Sequence, residues 1–527
     1  MKRREFLGAG AAAAAMVPTR FAIAQNTRAS TLRLVPHANL TLLDPHFTTA
    51  LVTTNHGWAI YDTLFGVNDR MEVQPQMAAG WSTEDDGRTV LITLRDGLKF
   101  HNGEPVRAQD CAQSLKRWAA REALGQMASK FIDEWGVKDD RTIRISLKRP
   151  LPALIPLMSS GGAIVPFIMP ESIARTDPFK AITETIGSGP YRFVASEFVA
   201  GSRVVYVRNP DYLPRQDKAE RTAGGKVAHF DRVEWHVIPD ASTAAAALQA
   251  GEVDWYEQVQ PDLVALLRNN SNLRIGFANP SGYNGILRFN HLHPPFNDVR
   301  MRRAILTAVD QNDYMAAVTA DDATSYRTCK ALLPCGTPDG REIGANLMPA
   351  NLDRARAMLK EAGYNNERVV IISPSDFPTI GPFGEVTYDL LRRLGMNVEI
   401  VQTDWGTVTQ RRNSREPVDK GGWSILHTWG STTAIGTPIG QFFIRGVGAK
   451  GWAGWFKDDV IEDLTEQWLL APDAGERARI ADALQRQAFD ALPSIPLGQF
   501  QIRSAHSKAL SGIIEATGVY PWNVRRG

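Results

Sequence analysis

Few spacings in this chain could do covalent or metal chemistry. Gly446-Val447-Gly448-Ala449-Lys450-Gly451 spells a dinucleotide fingerprint. That motif works only between a strand and a helix. Here Trp452-Ala453-Gly454-Trp455 follows, so the stretch reads as a mobile loop and no nucleotide cofactor is expected. His291 and His293 have the spacing of a metal pair, but a metal site needs further ligands. Pro294-Pro295 follows them, with no Asp, Glu or Cys at helical spacing. A Gly-x-Ser-x-Gly elbow, a His-Glu-x-x-His pair and a phosphate loop are all missing from the spelling. Absence of these motifs does not exclude an enzyme, but the placement of the tryptophans points to recognition by flat aromatic side chains. An indole in a cleft gives much apolar contact at small entropic cost. Of 13 tryptophans, Trp58, Trp405, Trp423 and Trp429 stand at strand ends, helix starts or loops. Trp81, Trp118 and Trp235 lie in apolar patterns and read as core. Trp405 and Trp429 are pocket candidates.

The elements that must position these residues alternate in type. Thr31 to Val35, then Val90, Ile92 and Leu94, then Ile143, Ile145 and Leu147 have strand period. Cys111 falls in a helix with Ala112, Leu115 and Trp118 and reads as a buried free thiol. In Gly187-Ser188-Gly189-Pro190-Tyr191 the glycines permit positive φ and the proline sets the exit. Val233, Trp235 and Val237 lead through a helix opened by Pro239-Asp240 and stopped by Gly251 to a strand at Val253-Asp254-Trp255. Strand, helix, strand implies parallel pairing in an α/β layer. The order recurs with helix 352–362, strand 369–372, helix 385–394 and a strand from Val398.

The stretch from Ala278 to Asp310 changes character three times. Breakers at Asn279 to Gly282 precede the apolar run Ile286 to Phe289. His293-Pro294-Pro295 cannot be helix, and Asn297 or Asp298 caps a helix with Met301, Ile305, Ala308 and Val309 on one face. This is how a chain crosses between two lobes.

At 527 residues two or three domains are expected. A net charge of +2 argues against a nucleic-acid partner. Arg3-Arg4-Glu5-Phe6-Leu7 resembles a twin-arginine export signal, and Gly8 to Val17 is too short to anchor in a membrane. Ala22-Ile23-Ala24 fits a cleavage site, with the mature chain starting near Gln25. The first cysteine is Cys111, so a lipid-anchored form is not expected. In an oxidising periplasm Cys329 and Cys335 are expected to close a short disulfide loop.

Several motifs together resemble the extracellular solute-binding proteins of peptide- and nickel-type ABC importers. They are Phe289-Asn290 with Pro294-Pro295-Phe296 and Asp298-Val299-Arg300, the Leu43-Asp44-Pro45 turn, LRDGLKFHNGEPVRAQD ending at Asp110, Gly-x-Gly-Pro-Tyr at 187–191, Arg208 to Tyr212, and the IPD…AGEVD unit ending at Asp254. The resemblance implies an α/β, two-lobe periplasmic-binding-protein fold with mixed sheets and a cleft. It implies that the helix holding Thr54, Asn55 and His56 turns its first turn to the cleft. It also implies two departures. Peptide binders of the class hold the ligand's ammonium with Asp in Trp-x-x-Asp, where this chain has Trp429-Gly430-Ser431-Thr432. Dipeptide binders hold the carboxylate with an arginine after the strand at 369–372, where this chain reads Ser373-Pro374-Ser375-Asp376-Phe377. Arg288 or Arg445 could replace the cation, though a surface location suits Arg445 better, and Asp376 could take an amine.

The expected ligand-binding set is Thr54, Asn55, His56, Arg288, Asp376, Trp405, Trp429 and Thr432. The expected lobes are 25–280 plus 495–527, with a subdomain around 60–180, and 281–494; the crossings at 279–290 and 493–499 act as hinges. The expected function is capture of a peptide, amine or aromatic solute for a membrane permease, by a periplasmic monomer without catalytic residues, metal or cofactor. A secreted hydrolase using the same cleft and a metal-chelate carrier are the alternatives.

Overall fold

The computed structural model describes residues 30–159 and 162–527. The export signal and its cleavage site at Ala24/Gln25 therefore lie outside the described residues, as does Gly161.

Two large mixed sheets carry the fold. In the first, seven strands run in the order Leu273–Phe277, Arg503–Ser507, Trp255–Val259, Thr31–Val35, Arg232–His236, Arg203–Arg208 and Tyr191–Phe193. Thr31–Val35 is parallel to both its neighbours. The helix Ala241–Gln249 makes that possible by carrying the chain from one neighbour to the other. Asp240 caps it by accepting from the Thr243 N–H at 2.7 Å, and Gly251 ends it at φ 70°. The second sheet has six strands, Tyr326–Arg327, Ser494–Phe500, Tyr283–Phe289, Ile425–Ser431, Val369–Pro374 and Val398–Thr403. Val369–Pro374 is parallel to both of its neighbours, again across a helix, Gly381–Arg393.

The chain passes from the first sheet to the second between Phe277 and Tyr283, inside the expected crossing. Asp298 then caps Val299–Ala308, whose Met301, Ile305 and Ala308 are buried. The return differs from expectation. Residues 494–500 are an inner strand paired with Tyr283–Phe289, and the chain crosses back through Gln501 and Ile502. Pro496 signals a break, but it sits where the register shifts opposite Ile286, with Gly498 at φ 114°. A bulge absorbs a proline that a regular inner strand would not.

A four-stranded antiparallel sheet, in the order Ala78–Glu84, Thr89–Leu94, Thr142–Leu147 and Ile132–Asp139, packs on helix Ala108–Arg121 around Ile92, Ile143, Leu115 and Trp118. Cys111 is buried there as a free thiol. Trp81 is not core: it is 44% exposed, with its edge on Phe65. Its strand lies at the sheet edge. Gly187 and Gly189 also act differently from expectation. Neither has positive φ; a Cβ on Gly187 would lie 1.8 Å from the Ile60 carbonyl oxygen, and one on Gly189 2.7 Å from the Ile60 carbonyl carbon. They are glycines because two backbones touch. Cys329 and Cys335 form the disulfide.

The two lobes meet. One apolar cluster joins Trp58, Phe167 and Tyr520 of the first to Phe377, Trp405, Trp423 and Trp455 of the second.

Candidate functional site

The helix Leu51–Ile60 begins earlier than its polar run suggests. Ala50 stands at its N-cap without a side-chain bond, which places Thr54 and Asn55 inside the helix. Its buried face forms one wall of a chamber between the lobes, about 980 Å³ of empty space partly open to solvent. From the first lobe come Thr54, Trp58, Phe65, Arg221 and Tyr520; from the second, Trp429 to Ser431, Thr433 and Phe442. Trp429 reaches it from the strand Ile425–Ser431. Its ring packs against Tyr283 at 4.5 Å between centroids, and its Nε1 donates to Thr379 Oγ1 at 3.0 Å. The indole is thus held from behind and half-buried. Trp58 is fixed between Phe167 and Trp522, both edge-on. Behind it Lys226 Nζ donates to Asp62 at 2.7 Å, with both side chains fully buried.

The wall is neutral except for Arg221, whose Nε is 4.0 Å from Asp69. Burial pushes the Tyr520 hydroxyl up to about 12, so it stays a donor at neutral pH. Neither His, Asp nor Glu lies on the wall among the described residues. A hydrolase would need a pair of titratable groups there. Among the described residues no cluster of three His, Cys, Asp or Glu could hold a metal ion. His291 and His293 instead face the carbonyls of Pro493 and Arg415.

Of the eight residues expected from the sequence, two line this chamber, Thr54 and Trp429. Thr432 is one residue behind it and accepts from Asn284 Nδ2 at 3.0 Å. Asn55 points back to Glu257 and to the Val519 N–H. His56 is fully buried against Tyr206 Oη at 2.9 Å, and burial lowers its pKa to about 3. One helix turn cannot aim successive side chains the same way. Arg288 is buried in the second lobe and donates to the carbonyls of Phe443, Ala453 and Pro493. Burial and the neighbouring Arg302 lower its pKa to about 9. Asp376 accepts from the Trp405 N–H at 2.8 Å, and burial raises its pKa. Trp405 is core, packed against Phe377. Arg445 is no surface residue; it is buried and paired with Glu462.

Sequence reasoning missed Tyr520, Phe442 and Arg221. Tyr520 comes from the tail and Phe442 from a loop, so neither lies on a periodic element. Beyond Thr49, Ala163 and Phe442 a second chamber opens, with Arg121, Arg412 and Trp452 on its wall. Its one sequence signal was the tryptophan pair Trp452 and Trp455 beside the glycine-rich loop.

Comparison with known proteins follows the same outline. The sequence profile of Bacterial extracellular solute-binding proteins, family 5 Middle, matches residues 72–437. A Sinorhizobium fredii protein named "Probable peptide ABC transporter periplasmic-binding protein y4tO" is 36% identical, covering 100% of this chain and 99% of its own. Glutathione-binding protein GsiB of Escherichia coli K12 is 23% identical over 90% of each chain. Among solved structures, AgaA of A. tumefaciens R10 in complex with agropinic acid superposes with a TM-score of 0.80 at 20% identity, covering 94% of this chain and 99% of that one. The dipeptide binding protein of Pseudoalteromonas sp. SM9913 in complex with Met-Leu gives 0.77 at 20% identity, covering 94% and 100%.

Proposed function

The chain belongs to the family 5 bacterial extracellular solute-binding proteins, and from that premise we propose that the chamber between Trp58 and Trp429 is where it takes its solute. It is the solute-binding component of a peptide-type ABC importer and serves peptides or peptide-like ligands. The family is one of binders that work with a membrane permease and are exported to the periplasm. No helix among the described residues is long and apolar enough to cross a membrane.

One observation carries the proposal. The chamber is walled by both lobes, with Trp58 and Tyr520 on one side and Trp429 and Phe442 on the other. Neither half encloses it alone. A solute that touches both walls favours the closed form, because only differential affinity can shift that equilibrium. The lobes turn about the passages near Ala278–Gly282 and Gln501–Ile502, where two strands leave one sheet for the other. The first lobe is taken as 25–280 with the tail beyond the return passage, and the second as the part between. Trp429, Trp58, Thr54, Tyr520 and Thr433 are assigned the contacts. This wall offers no carboxylate for a dipeptide's ammonium and only Arg221 as a cation, so a ligand related to those of GsiB or AgaA, with different polar groups, fits as well as a dipeptide. Export through the twin-arginine signal, cleavage near Ala24/Gln25, freedom from a lipid anchor and a monomeric state complete the reading.

Native mass spectrometry of protein purified from the periplasm of its own host tests it. The expected result is a noncovalent adduct of a few hundred daltons that is diminished in Trp429→Ala. An adduct undiminished in Trp429→Ala, or binding that survives when the lobes are cross-linked open, contradicts it.

A further inference from the structure

The charge of the second chamber is unbalanced. It holds about 1160 Å³ of empty space and shares Thr49, Ala163 and Phe442 with the first. Arg121 and Glu122 line it from the first lobe, and Arg412, Arg415, Arg445 and Lys450 from the second. Arg445 is neutralised by Glu462, and a Glu122 carboxyl oxygen is occupied by the Ile164 N–H at 2.8 Å. Arg412 is only 5% exposed, and no acid lies within ion-pair distance of it among the described residues. Its Nη2 reaches Thr48 Oγ1 and Thr49 Oγ1 of the opposite lobe, each at 3.3 Å. Both are neutral acceptors, and Thr49 Oγ1 also takes the Trp452 indole N–H at 3.3 Å. The rings of Trp405 and Trp452 lie 5.9 and 5.6 Å from the guanidinium carbon. These contacts use one of three nitrogens. Arg121, across the chamber, likewise has no acid within ion-pair distance among the described residues; it donates to the Phe47 carbonyl at 2.8 Å and lies over the rings of Phe47 and Phe179.

A guanidinium keeps its proton and offers five N–H donors. Buried without an acid, it is uncompensated charge. Arg412, buried, and Arg121, half-buried on the opposite lobe, repel one another in the closed form unless something negative lies between them. We infer that the second chamber receives an oxyanionic group of the solute, a carboxylate or a phosphate, between Arg412 and Arg121, and that the protein captures acidic solutes. This rests on the solute-binding reading and adds the ligand's charge. The planar fork of Arg412, stacked by two indoles, is ready to bind such a group bidentately. It also gives closure a condition: a neutral solute leaves two facing cations unanswered, whereas an anion ties one lobe to the other.

The test uses protein stripped of solute by unfolding and refolding. It is incubated with a casein hydrolysate, with the same hydrolysate after its carboxyls are converted to methylamides, and with the untreated hydrolysate plus inorganic phosphate. Retained masses are read by native mass spectrometry. At least tenfold more retention from the untreated than from the blocked hydrolysate is expected. Arg412→Gln should lose at least tenfold and Arg412→Lys less. Stripped Arg412→Gln should melt no lower than the stripped parent, since it removes an unanswered charge. Competition by phosphate assigns the site to phosphate-type groups and its absence to carboxylates; either supports the inference. Equal retention of blocked peptides, undiminished retention by Arg412→Gln, or a stripped Arg412→Gln melting well below the parent overturns it. In the last case Arg412 is a latch between lobes. In all three the solute-binding reading stands. Retention from neither hydrolysate also overturns the inference, and the solute-binding reading is then decided by the adduct carried by protein purified from its own host.

Discussion

Trp429 allows affinity and stability to be separated by two substitutions. Its ring is shared between the chamber and the second lobe. Behind it are an edge-on contact with Tyr283 and the indole N–H bond to Thr379. Such an aromatic pair contributes about 0.5–1.5 kcal/mol beyond area burial, and a hydrogen bond about 1 kcal/mol. A fully buried Trp→Ala costs ~3–5 kcal/mol, but one face here already borders empty space. Trp429→Ala should therefore lose about 2–3 kcal/mol of stability, measured by urea denaturation of stripped protein. It should also lose about 2 kcal/mol of binding, a ~30-fold weaker Kd by titration calorimetry with the co-purified solute. Trp429→Phe keeps a ring against both Tyr283 and the chamber and loses only the N–H bond. It should cost about 1 kcal/mol in stability and less than ~5-fold in Kd. The reasoning is refuted if Trp429→Ala, at a concentration where it is folded, binds as tightly as the parent.

Three further outcomes are expected. Burial raises the Glu122 carboxyl from its ordinary 4.5 to about 7, against the pull of Arg445. The native state then holds a proton that the unfolded chain releases, so stability should fall as pH rises from about 4.5 to 7, by on the order of 3 kcal/mol in all. Glu122→Gln should flatten that slope; parallel urea titrations at pH 5 and pH 8 check it. Lys226→Met strands the buried Asp62 carboxylate and should cost about 3–5 kcal/mol, while adding Asp62→Asn should recover most of the loss; thermal melts of the three variants decide. Replacing Cys329 and Cys335 with serine opens a loop of sequence separation 6 and should lower stability by about 2 kcal/mol in denaturation without changing solute retention.

Much of the scaffold was legible because its signals are local. Asp240, Asp298 and Gly251 fix helix ends within a few residues, and the strand–helix–strand order fixes parallel pairing without knowledge of the rest. The Ser494–Phe500 strand was misread because a bulge changes what a proline means, and only its partner strand reveals the bulge. The site was less legible. Thr54, Asn55 and His56 are consecutive on a helix, so they leave it in three directions and only Thr54 meets the chamber. Arg288 reads like a cleft cation in one dimension, yet its partners are carbonyls up to 205 residues away in the chain. Arg411 and Arg412 are adjacent and identical in type. The first is held by the carbonyls of Gly421 and Gly422, while the second crosses between the lobes.

A crystal structure of protein purified with its natural solute tests the central claim most directly. Electron density for that solute in the chamber between Trp58 and Trp429, touching side chains of both lobes, is the result predicted. Density bound to one lobe alone, or at a surface remote from both tryptophans while the chamber stays unfilled, would contradict it.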